Sequence, residues 1–543
     1  MSSETSGTGA SASRPHDLVA DPETDVTATY AVEPELVRRL TARVVCAPRP
    51  EWTTTVTPMT GGPVASLPLS TPDDVTLAVT AARAAQRSWA RTTIAARAAV
   101  FLRFHDLVLR DQAEILDLVQ LEAGKARSQA FEEVLDTAIC ARHYARSAAR
   151  YLRPRRHAGA FPVLTQSVET LLPKGVVGVV SPWNYPFSLA LTDLIPALLA
   201  GNAVVLRPDL QTTLTALEGV QLLAEAGLPE GVLQVVVGDG PSVGQAVVDQ
   251  VDYVCYTGST ATGRRVAEAA ARRLVGVSLE LGGKNSLYVR ADASLPRAVD
   301  GAIRAAFSSG GQLCMHTERL ILHEDVADEF LARFLPAVRA MRLGTGVGWG
   351  YDMGSLLSQA ALDRVTEHVE DARTKGARVL AGGRPRPDVG PFCFEPTVLE
   401  GVTEAMTCRD TETFGPVVSV YRVASDDEAV ALANDTSYGL NASIFTRDVR
   451  AGRALARRIR CGTVNINEGY AAAWGSMGAP MGGMKDSGLG RRHGADGIRK
   501  YTEPQNVTAQ HVAGFGAPRG LRDDQWAAVM TTAIGALKKL GRR

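Results

Sequence analysis

The feature that most constrains this chain is an alternation of short, continuous apolar runs with helical segments between Gln166 and about Gly282. GVVGVV (175 to 180), NAVVLR (202 to 207), VLQVVVG (232 to 238) and DYVCYTGS (252 to 259) are runs of strand length without polar alternation. Strands of that kind are covered on both faces. Between them SLALTDLIPALLAG and LTALEGVQLLAEAG read as helices stopped by Gly201 and Gly227, and SVGQAVVDQ as a third. Such alternation predicts a doubly wound parallel sheet. A second alternating stretch runs from SLYV (286 to 289) to NINEG (465 to 469), with helices expected near 295 to 306, 325 to 342, 358 to 375 and 427 to 434. Two α/β units therefore meet near Gly282-Gly283.

The flanks read differently. From Thr71 to about Leu152 the pattern is helical, opened by Thr71-Pro72-Asp73-Asp74: a Thr cap, Pro at the first position, and acids facing the positive helix end. Breaks are expected near Thr92 and Gly124. At the C-terminal end Trp526, Val529, Met530, Ala533, Ile534, Leu537 and Leu540 share one helical face. That helix is expected to pack on its own subunit or a partner, with a weak membrane contact or a substrate-tunnel gate as alternatives. Eleven of the first 14 residues are Ser, Thr, Gly or Ala, read as a disordered leader without a signal sequence.

Composition excludes several classes. Lys+Arg and Asp+Glu both number 58, which gives no bulk attraction to nucleic acid or an acidic membrane, although a local patch stays open. Cys46, Cys140, Cys255, Cys314, Cys393, Cys408 and Cys461 are scattered, with no CxxC pair, so neither a zinc site nor a disulfide scaffold is expected. No run of about 20 apolar residues spans a membrane. The reading is a cytoplasmic protein with free thiols and no metal.

Four segments carry chemistry. In YTGSTATG, Gly258 permits a sharp turn, and Ser259 opens a helix whose free N–H groups could face a phosphate. GDGPSVG (238 to 244) resembles a dinucleotide loop only loosely, its glycine spacing being wrong. In VSLELGG, Glu280 sits in an apolar run, where desolvation raises a carboxyl pKa toward that of a general base; pairing with a nearby cation is the alternative. In GGQLC, Cys314 follows two glycines, 34 residues (314 − 280) after Glu280; alone it would read as a small buried hydrophobe. In SPWNYPF, Asn184 lies beyond a strand end, where open α/β sheets bind ligands, and its amide could donate to an oxyanion; alone it would be a turn residue.

Order and spacing together decide. PWNYPF, GNAVVLRPD, YTGSTATG, LELGGKN, GGQLC, TFGPVV, YGLNASIF and PMGGMKDSG, read in sequence over roughly residues 50 to 507, resemble the aldehyde dehydrogenase superfamily. PKGVVGVVSPWNYP, GTVNINEGYAAAWGS and GRRHG bring the chain nearest to actinobacterial NADP-type succinate-semialdehyde dehydrogenases. The resemblance implies an α/β, aldehyde dehydrogenase-like fold. Its parts would be a leader (1–20), a Rossmann-type cofactor domain (21–156 and 174–282), a small β oligomerisation arm (157–173 and 499–509), a catalytic domain (283–498) and an extension (510–543). It implies Cys314 as nucleophile, Asn184 with the Cys314 N–H as oxyanion hole, and Glu280 as general base. Trp183, Asn184, Arg207, Pro208, Asp209, Leu210, Gly258, Ser259, Leu281, Glu412 and Phe414 would line the cofactor, with Glu412 on the nicotinamide ribose and Ser259 on the pyrophosphate. A homodimer or homotetramer oxidising a small aldehyde is implied.

Two departures from that family's pattern matter. NAD-preferring members often carry Glu where Leu210 stands, and Arg207 replaces the usual Lys. Leu210 repels no 2′-phosphate and Arg207 could attract one, which points to NADP, with NAD as the second candidate and Arg207 on the ribose as the alternative role. In the substrate pocket, Ser308 and Asp193 stand where succinate-semialdehyde dehydrogenases carry two carboxylate-binding arginines. Contacts worth about 1.5–3 kcal/mol each would be lost. Succinate semialdehyde with a high KM is the leading reading. A medium- or long-chain aldehyde dehydrogenase is the alternative within the class, and a non-catalytic scaffold the remote one.

Overall fold

The structure is a computed structural model that describes residues 32–159, 165–511 and 514–541. The leader expected at 1–20 lies outside them. A short helix, Pro34–Thr41, comes first, then a hairpin of Trp52–Val56 and Pro63–Pro68, a pair hidden in the sequence by prolines at the ends of its second strand. Four helices follow, Pro72–Trp89, Ile94–Arg110, Gln112–Ala123 and Arg127–Tyr151. Thr71 caps the first as its sequence demands: its Oγ1 accepts the Asp74 N–H at 3.3 Å and its own N–H donates to Asp74 Oδ2 at 2.8 Å.

The first alternating stretch forms a six-stranded sheet ordered Gly488–Leu489, Gly276–Glu280, Tyr253–Thr257, Val176–Val180, Ala203–Arg207, Leu233–Val235. All pairs are parallel except Gly488–Leu489 against Gly276–Glu280. Val176–Val180 and Ala203–Arg207 are buried along their whole length, which is why they read as unbroken apolar runs. From Val176–Val180 the chain winds outward in one direction through Ala203–Arg207 to Leu233–Val235, then returns to the other side with Tyr253–Thr257. The reversal leaves a crevice beyond the ends of Val176–Val180 and Tyr253–Thr257, the place where such sheets bind ligands.

Between Glu280 and Asn285 the chain leaves this sheet and enters a seven-stranded one. Its order is Arg378–Ala381, Thr397–Glu400, Val417–Val423, Thr317–His323, Asn285–Val289, Asn441–Phe445, Thr463–Ile466, parallel apart from the first pair. A third, antiparallel sheet joins Thr502–Gln510, Thr165–Pro173 and Arg155–Ala158. The expected C-terminal helix is present as Asp523–Lys539, but it buries no residue against its own chain; Trp526 Nε1 donates to Phe515 O at 2.8 Å. No helix among the described residues is long and apolar enough to cross a membrane.

Candidate active site

The crevice continues into a cavity of about 230 Å³ between the two large sheets. It brings together Trp183 and Asn184 from the loop after Val176–Val180, Gly258 and Ser259 after Tyr253–Thr257, Glu280 and Leu281 after Gly276–Glu280, then Cys314, Glu412 and Phe414 from the second unit. Nine residues singled out in the sequence therefore share one wall-to-wall space. Leu189 and Arg364 also line it; no motif pointed to Arg364.

Cys314 is held by a strained loop. The helix Leu295–Phe307 ends in Ser309, Gly310 and Gly311, with φ of 53°, 62° and 68°. At Gly311 a Cβ would stand 2.0 Å from Gly415 O, so backbone packs directly on backbone there. Asn285 Nδ2 then donates to Cys314 O at 2.7 Å and to His316 O at 2.8 Å. Asn184 Nδ2 donates to Gln312 O at 2.9 Å, tying the two loops together. One amide N–H of Asn184 is so engaged and the other remains to face the cavity. Burial pushes the Cys314 thiol up to about 12, with the Glu412 and Glu280 carboxylates adding to it. A depressed, thiolate-favouring pKa is therefore not what this environment creates.

Glu280 ends its strand with Oε1 buried and without a hydrogen-bond partner among the described residues. Burial pushes its carboxyl up to about 7, against the pull of Arg492 and Lys500. No ion pair of Glu280 occurs among the described residues, so the alternative of a strand-end carboxylate paired with a cation does not apply. Behind it lies a charge cluster that no motif announced. Asp193 receives Arg492 Nη2, Lys500 Nζ at 3.2 Å and Tyr501 OH at 3.2 Å; Lys500 Nζ also reaches Ser278 Oγ at 3.2 Å, two residues before Glu280. Burial alone would raise Asp193, but the two cations hold it well below the usual carboxylate range. Asp193 is thus a counter-ion in a buried cluster, a role that no motif around it announced. Asp193→Asn is expected to cost about 3–5 kcal/mol, since two buried cations lose their partner. The freed cations should also draw the Glu280 pKa down, moving the rise of kcat with pH to lower pH. Thermal unfolding and a pH–rate profile check both; an unchanged melting temperature and profile would contradict the cluster's role.

Glu412 accepts the Gly283 N–H at 2.9 Å, and a Cβ on Gly282 would come within 2.5 Å of its Oε2, so only glycine leaves room for the carboxylate. Burial, reinforced by Glu318, pushes Glu412 up to about 7. Phe414 adopts φ of 53°, stabilised because Glu318 accepts the Thr413 and Phe414 N–H groups at 2.9 and 3.1 Å. Burial would raise Glu318; Lys284, bonded to it, and His316 outweigh that and hold it low. The Trp183 and Phe414 rings meet edge-on, centroids 5.6 Å apart. Ser259 caps the helix Thr260–Arg272.

The residues after Ala203–Arg207 do not line this cavity. Arg207 makes a tertiary contact that its motif did not announce: its Nε and Nη2 donate to Gly238 O at 3.0 and 2.6 Å, and Nη1 lies 4.0 Å from Asp209 Oδ2. Its guanidinium is a clamp on the Gly238 turn rather than a free phosphate fork. Pro208, Asp209 and Leu210 lie with it beyond the cavity, and Leu210 packs against the apolar core. The loosely glycine-rich segment after Gly238 forms a capped turn, Asp239 Oδ1 accepting the Ser242 N–H at 2.6 Å. Ser308 faces a separate cavity with Arg304, Ser128 and Glu132.

A buried carboxylate for ribose hydroxyls, a helix N-terminus opened by a serine, and the Gly282 cradle fit a nicotinamide dinucleotide. All seven cysteines are free. Among the described residues no group of three or more His, Cys, Asp and Glu could hold a metal ion.

The profile described as Aldehyde dehydrogenase family matches residues 47–507. A Mycolicibacterium smegmatis protein named "Putative succinate-semialdehyde dehydrogenase [NADP(+)]" is 51% identical over 484 residues, 89% of this chain and 94% of that protein. The mitochondrial succinate-semialdehyde dehydrogenase of Arabidopsis thaliana is 36% identical over 456 residues, 83% and 84% of the two chains. Among solved structures, an aldehyde dehydrogenase from Brucella melitensis superposes with a TM-score of 0.84 at 30% identity, covering 89% of this chain and 99% of that one.

Proposed function

The chain belongs to the aldehyde dehydrogenase family, and on that premise we propose that it oxidises succinate semialdehyde to succinate with NADP+, using Cys314 as nucleophile, Asn184 and the Cys314 N–H as oxyanion hole, and Glu280 as general base. The observation that carries the reading is the convergence of Cys314, Asn184, Glu280 and Glu412 on one cavity at the reversal point of a parallel sheet.

The chemistry follows from where these groups sit. Cys314 Sγ attacks the aldehyde carbon; the C–S bond forms and the carbonyl electrons move onto oxygen, where the Asn184 amide stabilises them. The thiol must first lose its proton, and Glu280, pushed up to about 7, is the cavity's acceptor within its working range. A bound nicotinamide dinucleotide supplies the acceptor for the hydride that leaves the thiohemiacetal carbon. Glu412, with Trp183 and Phe414 beside it, would orient that group, and Ser259 with the following helix would face its pyrophosphate. Glu280 passes the thiol proton to solvent and then takes one from water, whose oxygen attacks the thioester carbon; the C–S bond breaks, the acid leaves, and the Cys314 sulfur takes its proton back from Glu280.

The substrate and the cofactor rest on the relatives' names, and NADP also on Leu210, which brings no charge against a 2′-phosphate. Ser308 offers no cation to the substrate carboxylate, so a high KM is expected. The reading includes a cytoplasmic homodimer or homotetramer, supported by the exposed strand Thr502–Gln510 with Val507 uncovered. An aldehyde panel with both cofactors tests the function. Expected are a larger kcat/KM with NADP+ than with NAD+, and succinate semialdehyde ahead of uncharged aldehydes. A clear NAD+ preference, or better turnover of long aliphatic aldehydes, would overturn those parts of the reading.

A further inference from the structure

Away from the catalytic cavity, a second depression of about 760 Å³ lies between the helix Arg127–Tyr151 and the segment Gly475–Ala479. Arg142, Arg146 and Arg150 line it at a spacing of four, so they form one stripe on the helix, with His143 and Ser147 between them. No acidic residue lines it. In a chain whose charges balance 58 to 58, no Asp or Glu occurs between Asp136 and Glu169, while that interval holds Arg142, Arg146, Arg150, Arg153, Arg155 and Arg156. None of the three stripe arginines makes an ion pair among the described residues; Arg150 touches only the Tyr151 hydroxyl, at 3.2 Å, and its ring. Other arginines of this molecule are matched to carboxylates, as Arg290 is to Asp426 and Arg342 to Asp352, or donate to main-chain carbonyls, as Arg97 and Arg319 do. Three guanidinium groups in register with no counter-charge repel one another.

We propose that this depression is a binding site for a small polyanion carrying two or more phosphate or carboxylate groups, and that its occupancy is felt at the catalytic cluster. Guanidinium forks match both oxyanions. The stripe spans about 12 Å along the helix axis, from eight residues at 1.5 Å each, too long for one anionic group to satisfy. The volume is that of a small-molecule site, and Gly475–Ala479 gives it a second wall. That wall leads to the active site. Trp474, next to Gly475, packs edge-on against Tyr185 with centroids 5.7 Å apart and lies tilted against Tyr470 at 6.5 Å. Those rings belong to the apolar cluster that holds Leu313 and takes Cys314 against its side. Met477 O accepts the Gly494 N–H at 2.7 Å, two residues from Arg492. An anion drawn onto the stripe therefore fixes a segment that contacts both the Cys314 surroundings and the cluster behind Glu280. This site does not rest on the substrate proposed above.

Calorimetric titration of the full-length protein with sodium tripolyphosphate, and separately with citrate, at matched ionic strength tests the site and tells phosphate from carboxylate ligands. Saturable binding of at least one is expected, weakened about tenfold or more in the Arg142→Ala/Arg146→Ala/Arg150→Ala variant. Binding of neither, or equal affinity in the variant, would overturn the site. On the wild-type protein alone, the better ligand should protect Arg142, Arg146 and Arg150 from phenylglyoxal, read by peptide mass; equal modification with and without it would overturn the site as well. Saturating ligand should also shift the KM of an uncharged aldehyde in the wild type but not in the variant, and an unmoved KM would overturn the coupling.

Discussion

Replacing Cys314 with serine should abolish steady-state aldehyde oxidation, lowering kcat by roughly 10³-fold or more, while leaving cofactor affinity close to that of the wild type. The size of the effect follows from the nucleophile. A serine hydroxyl is a far weaker nucleophile than a thiolate and harder to ionise, and nothing in the cavity offers a compensating base stronger than Glu280. Structure should survive, because the loop is held by main-chain contacts, Asn285 Nδ2 to Cys314 O and the close approach of Gly311 to Gly415, which the side chain does not touch. Binding of NADPH, followed by quenching of tryptophan fluorescence, separates loss of chemistry from loss of fold. Turnover near the wild-type rate would remove Cys314 from the mechanism.

The second large effect belongs to Glu280. Glu280→Gln should lower turnover by about 10²–10⁴-fold, the usual contribution of a positioned base. Gln keeps the shape of the side chain but cannot accept a proton. The wild-type enzyme works through the carboxylate, so its kcat should rise with pH through about 7, where burial has placed the group. Below that pH the carboxyl is protonated and inactive; above it the base is available. The variant should lose this rise and show a flat profile across the same interval. A variant that keeps both the rate and the inflection would transfer the role to another group.

Much of this site could be read from sequence because its parts are local. A strand that ends in Thr257-Gly258-Ser259 and runs into a helix declares its turn and its cap through residue types a few positions apart. The apolar runs at 175 to 180 and 202 to 207 declare burial on both faces in the same way. What could not be read depends on residues that meet only after folding. Asp193 lies 299 positions before Arg492 and 307 before Lys500, and all three look in sequence like ordinary charges; only packing makes them one cluster behind Glu280. Arg207 shows the converse: its chemistry suits a phosphate, but a tertiary contact commits two of its nitrogens to Gly238 O. The Cys314 thiol is raised because burial is joined by Glu412 and Glu280, carboxylates from two other segments, and no string around Cys314 carries that information. Glu318, which holds the backbone of Thr413 and Phe414, lies 95 positions before the first of them in the strand Thr317–His323, so nothing in its own segment marks it as the support of the Glu412 loop.

The central claim is that the acyl group passes through sulfur at position 314 and leaves by attack of water activated at position 280. Mixing the Glu280→Gln variant with aldehyde and NADP+, quenching in acid and mapping peptides by mass spectrometry tests it most directly. The account predicts an acyl adduct on the peptide containing Cys314, formed slowly because the variant lacks the group that takes the thiol proton, with about one NADPH formed per site before the reaction stalls. An unmodified Cys314 peptide alongside continued NADPH formation would contradict it.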